Sequence, residues 1–159
     1  MWTNFFIAAA GSAAALAGLV IVALSVNITR ILEFAHLPAR AAATIGRLIL
    51  ILVTSMAALI PQSAYAVGAE ISGLAVCCWF LEIRSNRRGM RARKQLGRPR
   101  FESILELVLG QVQLLPFIAG AILLITGRLS GTYWIAAGVI ATFIFSTLNA
   151  WVLLVEILR

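Results

Sequence analysis

Long apolar runs separated by short polar stretches dominate the chain. Residues 5–26, 64–83, 104–126 and 133–156 each approach the length of about 20 residues that a helix needs to cross a hydrocarbon core roughly 30 Å thick. A fifth segment, 41–60, is interrupted by Arg47, and its charge-free run from Leu48 to Ile60 covers only about 20 Å at 1.5 Å per residue. Snorkelling by Arg47 past the small residues Ala41 to Gly46 is expected to supply the remainder. Between the first two spans, residues 28–37 set Ile28, Ile31, Leu32 and Ala35 opposite Arg30 and Glu33. That pattern predicts an amphipathic helix lying in the membrane interface and ended by Leu37-Pro38. Pro61-Gln62-Ser63 and Gly127 to Thr132 predict tight turns, and residues 84–100 a basic loop.

The charges then decide how many of these segments cross. With five spans, only Arg128 of the 13 basic residues falls opposite the others. Without the span at 41–60, Arg30, Arg40 and Arg47 join Arg128 on that side, a much weaker separation. Because positive charge is retained in the cytoplasm, the expected fold is an all-α integral membrane protein with five transmembrane helices. Its N-terminus lies outside, and its C-terminus and basic loops face the cytoplasm of a bacterial inner membrane. Trp2, Tyr65, Tyr133 and Trp134 fall near the outer interface and Trp79 and Trp151 near the inner one, as aromatic belts require.

Composition leaves no room for a separate soluble domain. The chain of 159 residues is 62% hydrophobic with a mean hydropathy of +0.99, so residues 1–159 read as one membrane domain. The net charge of +7 sits between apolar segments, where anionic lipid head groups are the expected partner and nucleic acid is not. Met1-Trp2-Thr3-Asn4 lacks the positive start of a signal peptide, so the first segment reads as a retained helix. The adjacent Cys77 and Cys78 form no metal-binding spacing and read as packing residues.

Polar residues within the spans are the candidates for function, because each is costly against lipid. Glu70, about a third of the way into the third span from its outer end, has Arg128, Tyr65 and Gln62 as candidate partners. On the fourth span Glu102, Glu106, Gln113 and Gly120 share a face, with Gln111 on the opposite one; on the fifth, Gly138, Thr142, Ser146, Asn149 and Glu156 form a matching stripe. A short outer turn makes these two helices antiparallel, which predicts Gly120 near Gly138 and Gln113 near Ser146. Pro116 frees the carbonyl of Val112 near mid-span. Gln111 calls for another helix or subunit on its side. In the first span, Gly11, Ala14, Ala15 and Gly18 make a small-residue face suited to close packing within the chain or between copies. Arg84, Arg87, Arg88, Arg91, Arg93, Lys94, Arg98 and Arg100 are expected to rest on lipid or to meet an acidic partner.

Catalytic chemistry lacks an inventory. The chain has no aspartate, and His36 in the interfacial segment is its one histidine, so no metal site, haem pair or nucleophile and base within the bilayer is expected, and no cofactor. The tract Gly18 to Asn27, the step Leu37-Pro38-Ala39-Arg40-Ala41, Gly110-Gln111 with Leu115-Pro116-Phe117, and Asn149 to Arg159 resemble a group of small multipass bacterial membrane proteins, a resemblance that implies no activity. Five spans at this length also suggest the tryptophan-rich sensory proteins, whose Trp-Pro-rich stretch after the first span is missing here. The expected function is therefore a homo-oligomeric channel or permeation protein for small solutes or ions. The alternatives are a non-transporting module that binds another membrane complex and a small-ligand membrane sensor.

Overall fold

A computed structural model describes residues 2–33, 37–95 and 100–158, with side chains described at 2–33, 37–84, 108 and 110–155. The described residues form six α-helices and no strand: α1 (Trp2–Val26), α2 (Ile28–Glu33), α3 (Leu37–Leu59), α4 (Ala64–Gln95), α5 (Arg100–Ile125) and α6 (Gly131–Leu158). Among the described residues, four stretches are long and apolar enough to cross a membrane: Trp2–Val26, Leu37–Leu59, Ala64–Arg84 and Gly131–Val155. A shorter apolar stretch of α5, Gly110–Ile125, accompanies them. The architecture is that of a multipass membrane protein.

Local chemistry sets the helix ends. Pro38 falls in the first turn of α3, where a missing N–H goes unnoticed, so Leu37-Pro38 opens this helix instead of ending the preceding one. Ser63 caps α4 by accepting a hydrogen bond at its Oγ from the Ala66 N–H at 3.2 Å. Gly127, at φ 78°, ends α5. The Arg128 N–H donates to the Leu123 carbonyl at 2.8 Å and the Gly127 N–H to the Leu124 carbonyl at 3.0 Å, a Schellman closure that needs a residue tolerant of the left-handed region.

Two expectations about these elements change. Residues 84–95, expected as loop, continue α4, whose 32 residues span about 48 Å at 1.5 Å per residue. That exceeds a hydrocarbon core of roughly 30 Å, so the basic part is a helical extension beyond the apolar part. Helix α2, expected to lie in the membrane interface, is described over Ile28–Glu33, with Ile31 buried and Ile28 and Leu32 exposed. Ala35 and His36 lie outside the described residues.

Helices α3 to α6 run up and down in turn, with α3 against α4 and α6, and α5 against α4 and α6. Helix α1 packs on the outside of this group, chiefly along α3, through the narrow seam Phe6, Ala13, Val20 and Leu24. Trp2 meets Tyr133 edge to face with ring centroids 4.7 Å apart, which brings the start of α1 to the start of α6. The end of the bundle holding the starts of α1, α4 and α6 carries Arg128. Arg30, Arg40 and Arg84, and the helical extension bearing Arg87, Arg88, Arg91, Arg93 and Lys94, belong to the opposite end.

Close backbone contacts at glycines join the buried side chains Leu114, Phe117 and Leu124 in holding α5 in place. A methyl group on Gly68 would lie 2.8 Å from the Ala121 carbonyl oxygen, and one on Gly120 would lie 2.7 Å from the Gly131 carbonyl oxygen. Gly138 receives the Phe117 ring and the Pro116 Cβ, whose atoms would stand 3.0 and 3.3 Å from an added methyl. Gly120 thus pairs with Gly131 instead of Gly138, a slip along α6 from the expected register. Carrying the Phe117–Gly138 contact one further turn along both antiparallel helices sets Gln113 level with Thr142, not Ser146.

In lipid, such contacts stabilise association through dispersion because apolar burial between helices gains little. Gly131→Ala is therefore expected to destabilise the protein by about 1–3 kcal/mol through overpacking, whereas Gly11→Ala, whose added methyl meets nothing within 4 Å, should stay within about 0.5 kcal/mol of the parent. Thermal unfolding in detergent, followed by circular dichroism, reads both; equal melting temperatures for the two variants would contradict this packing.

Candidate functional site

The strongest polar feature lies where three helices meet. Arg47, ten residues before Ala57 on α3, donates through Nε to Oε1 of Glu82 on α4 at 2.6 Å. Their side chains are 14% and 8% exposed, so the charges are largely withdrawn from the surroundings. Gly110 on α5 completes the arrangement, since a methyl there would stand 3.1 Å from Glu82 Oε2 and 3.3 Å from Arg47 Nη2. A side chain at that position would crowd the pair. Glu82 Oε2 itself is buried with no hydrogen-bond partner among the described residues, leaving one acceptor oxygen free beside a neutralised charge.

A cavity of about 300 Å³ lies alongside. On α3 it is bordered by Ala39, Ala42, Ala43, Gly46 and Leu50, the i, i+3, i+4, i+7 and i+11 positions of one face. Cys78, Leu81, Glu82 and Arg84 of α4 form the facing wall, and Leu114 of α5 contributes to its lining. Because Ala42, Leu81 and Arg84 are exposed, the cavity is a cleft open to the surroundings. Its walls are small and apolar, with the ion pair set into them.

Glu82 is the residue that sequence reasoning missed. It sits at the last turn of the apolar run 64–83, immediately before the arginines, and there it reads as part of the polar boundary. The available signal was the pair of opposite charges themselves, Glu82 inside the run 64–83 and Arg47 inside the segment 41–60, each otherwise uncompensated in its span. Arg47 meets its charge through Glu82 instead of by snorkelling alone.

The polar stripes of α5 and α6 turn into the bundle. Gln113, Thr142 and Ser146 are 3%, 1% and 0% exposed. Gln113 Oε1, Thr142 Oγ1 and Ser146 Oγ have no hydrogen-bond partner among the described residues, nor do Thr54 Oγ1 and Ser55 Oγ of α3. Asn149 donates instead to the Phe145 carbonyl of its own helix at 3.0 Å. Gln111 accepts a hydrogen bond from the indole N–H of Trp79, so its neighbour is α4 of the same chain. Glu70 lies apart from all of these, exposed near the start of α4, where Gln62 Nε2 donates to its Oε2 at 2.8 Å.

Other candidates separate from this site. Gly11, Ala14, Ala15 and Gly18 are exposed, and added methyls on Gly11 and Gly18 would meet nothing within 4 Å. The small-residue face of α1 is therefore not the seam by which α1 joins the bundle; that role falls to the face of Ala13. Arg84 is exposed. The side chains of Glu102, Glu106, Arg87, Arg88, Arg91, Arg93, Lys94, Arg100 and Glu156, and all of Arg98, lie outside the described residues.

Withdrawing one member of a buried ion pair leaves the other uncompensated, a loss of about 3–5 kcal/mol. Arg47→Met should therefore lower stability by about that amount, while Arg47→Met combined with Glu82→Leu should recover most of it, because two apolar side chains of similar volume leave no buried charge. A denaturation series on the parent, the single variant and the double variant reads the coupling. A double variant no more stable than the single would show that the pair does not join α3 to α4.

Compared with known proteins, the chain matches no family model, no curated protein and no solved structure.

Proposed function

We propose that the chain is a five-crossing protein of the bacterial inner membrane, N-terminus outside and basic helix ends in the cytoplasm, that works by binding within the bilayer. One observation carries this reading: the polar side chains fit to line a pore between subunits, Gln113, Thr142 and Ser146, are closed inside a single chain, whereas the ion pair Arg47–Glu82 borders an open cleft. An inter-subunit pore needs its polar groups on the outer faces of the bundle. Those faces carry large apolar side chains such as Leu19, Val22, Ile122, Ile140 and Leu148, which suit lipid or a membrane partner. No catalytic step belongs to this reading.

A permeation path remains the second reading, and the buried hydroxyls of Thr54, Ser55, Thr142 and Ser146, which have no hydrogen-bond partner among the described residues, favour it. Such a path would run through each chain and not along an oligomer axis, using hydroxyls and an amide as successive stations for water or a proton.

Two measurements bear on these proposals. In a single-cysteine accessibility map, Gln62→Cys is expected to label from the periplasmic side and Gly89→Cys from the cytoplasmic side; labelling of both from one side would overturn the five-crossing arrangement. In liposomes containing the pure protein, proton and small-solute flux should equal that of protein-free liposomes. A protein-dependent flux abolished by Gln113→Leu or Thr142→Val would replace the binding reading with the path through the bundle.

A further inference from the structure

We infer that the cleft between α3 and α4 holds one acyl chain of an anionic phospholipid, whose phosphate meets Arg84 at the basic end of the bundle. This rests on the five-crossing reading, which sets the cleft within the cytoplasmic leaflet with its long direction along the lipid chains.

Size selects the occupant. The α3 wall from Ala39 to Leu50 rises about 16 Å at 1.5 Å per residue. Spread over that length, 300 Å³ leaves a cross-section of about 19 Å², the girth of a single extended hydrocarbon chain. A helix with a diameter near 10 Å needs about 80 Å², so the cleft is too narrow to enclose a second copy or a partner helix. The volume is also at the lower edge of the range for enclosed small-molecule sites, roughly 300–1,000 Å³.

Charge selects the headgroup. Arg47 and Glu82 neutralise one another in the wall at 2.6 Å, and Arg84 lines the cleft exposed with no ion-pair partner among the described residues. The net charge presented there is therefore positive. The α4 extension carries Arg87, Arg88 and Arg91 onward from it, adding to the positive field at the same end. Basic pockets between membrane helices on the cytoplasmic side are suited to phospholipid head groups, and each exposed basic residue near an anionic surface contributes enough attraction for a preference of about fivefold.

The test is native mass spectrometry of the full chain in detergent with equal amounts of phosphatidylglycerol and phosphatidylcholine bearing identical acyl chains. The parent should retain phosphatidylglycerol about fivefold over phosphatidylcholine, and Arg84→Gln should bring the two to parity. Gly46→Leu, whose added Cβ meets nothing within 4 Å, should fill the cleft and reduce retention of both lipids at least tenfold with an unchanged melting temperature. Ala43→Leu provides the same blockade from the next position along the wall, should Gly46→Leu fail to fold. Retention in both cleft-filling variants equal to the parent, no headgroup preference in the parent, or displacement of the lipid by millimolar inorganic phosphate would each overturn the proposal. An inverted accessibility map would instead overturn the membrane orientation while leaving the adducts unchanged, so the two failures are distinct.

Discussion

A charge placed ten residues into an apolar helix must be compensated before that helix can reside in lipid. Arg47 meets this condition through Glu82 at 2.6 Å, and the consequences extend through the bundle. The pair joins α3 to α4 at a fixed depth, and α5 passes close beside it at Gly110, where a side chain would crowd both ions. A buried pair of this kind is weak as a source of stability because both ions lose water, yet its separation would leave an uncompensated charge. Its effect is to disfavour every arrangement in which α3 and α4 slide or part.

Dispersion supplies the remaining cohesion, and its distribution explains why α1 differs from the others. Gly68, Gly120 and Gly131 bring α5 against α4 and α6 at distances that any Cβ would violate, and Gly138 lies in tight contact with the Phe117 ring. Lipid tails compete for apolar side chains as well as another helix does, so only such close contact gives protein an advantage over lipid. Helix α1 reaches α3 through the buried residues Phe6, Ala13, Val20 and Leu24, flanked by the half-buried Phe5, Ala9, Leu16 and Ala17, while its opposite face, including Gly11 and Gly18, is exposed. Its attachment is thus chiefly to α3, with a smaller contact to α6, whereas α5 is held between α4 and α6.

Much of the fold was legible because a bilayer imposes a length and an apolarity that sequence records directly. The apolar stretches, their turns and even the span broken by Arg47 correspond to α1, α3, α4, α5 and α6. Hydropathy misled at residues 84–95 for a physical reason: it reports which solvent surrounds a helix, not where the helix stops, and α4 continues through Arg84 into water-compatible sequence. The facing of the α5 and α6 stripes was legible from the 100° repeat, but their register was not. A turn fixes direction only approximately, and the final slip is set by the contact of Gly120 with Gly131 and by the Pro116 ring against Gly138. The small-residue face of α1 was visible as a pattern that permits close approach, and a pattern cannot say what approaches it. The cleft was illegible altogether, since an absence of side-chain volume in three helices becomes a cavity only once they are set side by side.

The origin of that cleft follows from the ion pair. Had Arg47 been satisfied only by reaching to the interface, the small residues Ala39 to Gly46 would be needed as a channel for its own stem along α3. Glu82 instead meets the Arg47 guanidinium from α4 at 2.6 Å, and the small residues Ala39, Ala42, Ala43 and Gly46 leave volume open along the α3 face. Cys78 and Leu81 border it from the other side, and Leu114 of α5 reaches it from a third. In water such a void would fill with solvent or collapse, and collapse is opposed here by the glycine contacts that hold α5 and by the fixed distance across Arg47–Glu82. A lipid-facing void beside a fixed pair is filled most readily by the solvent that surrounds it, a hydrocarbon chain. On the proposed lipid occupancy, the exposed guanidinium of Arg84 would select among those chains by the head group to which each is attached.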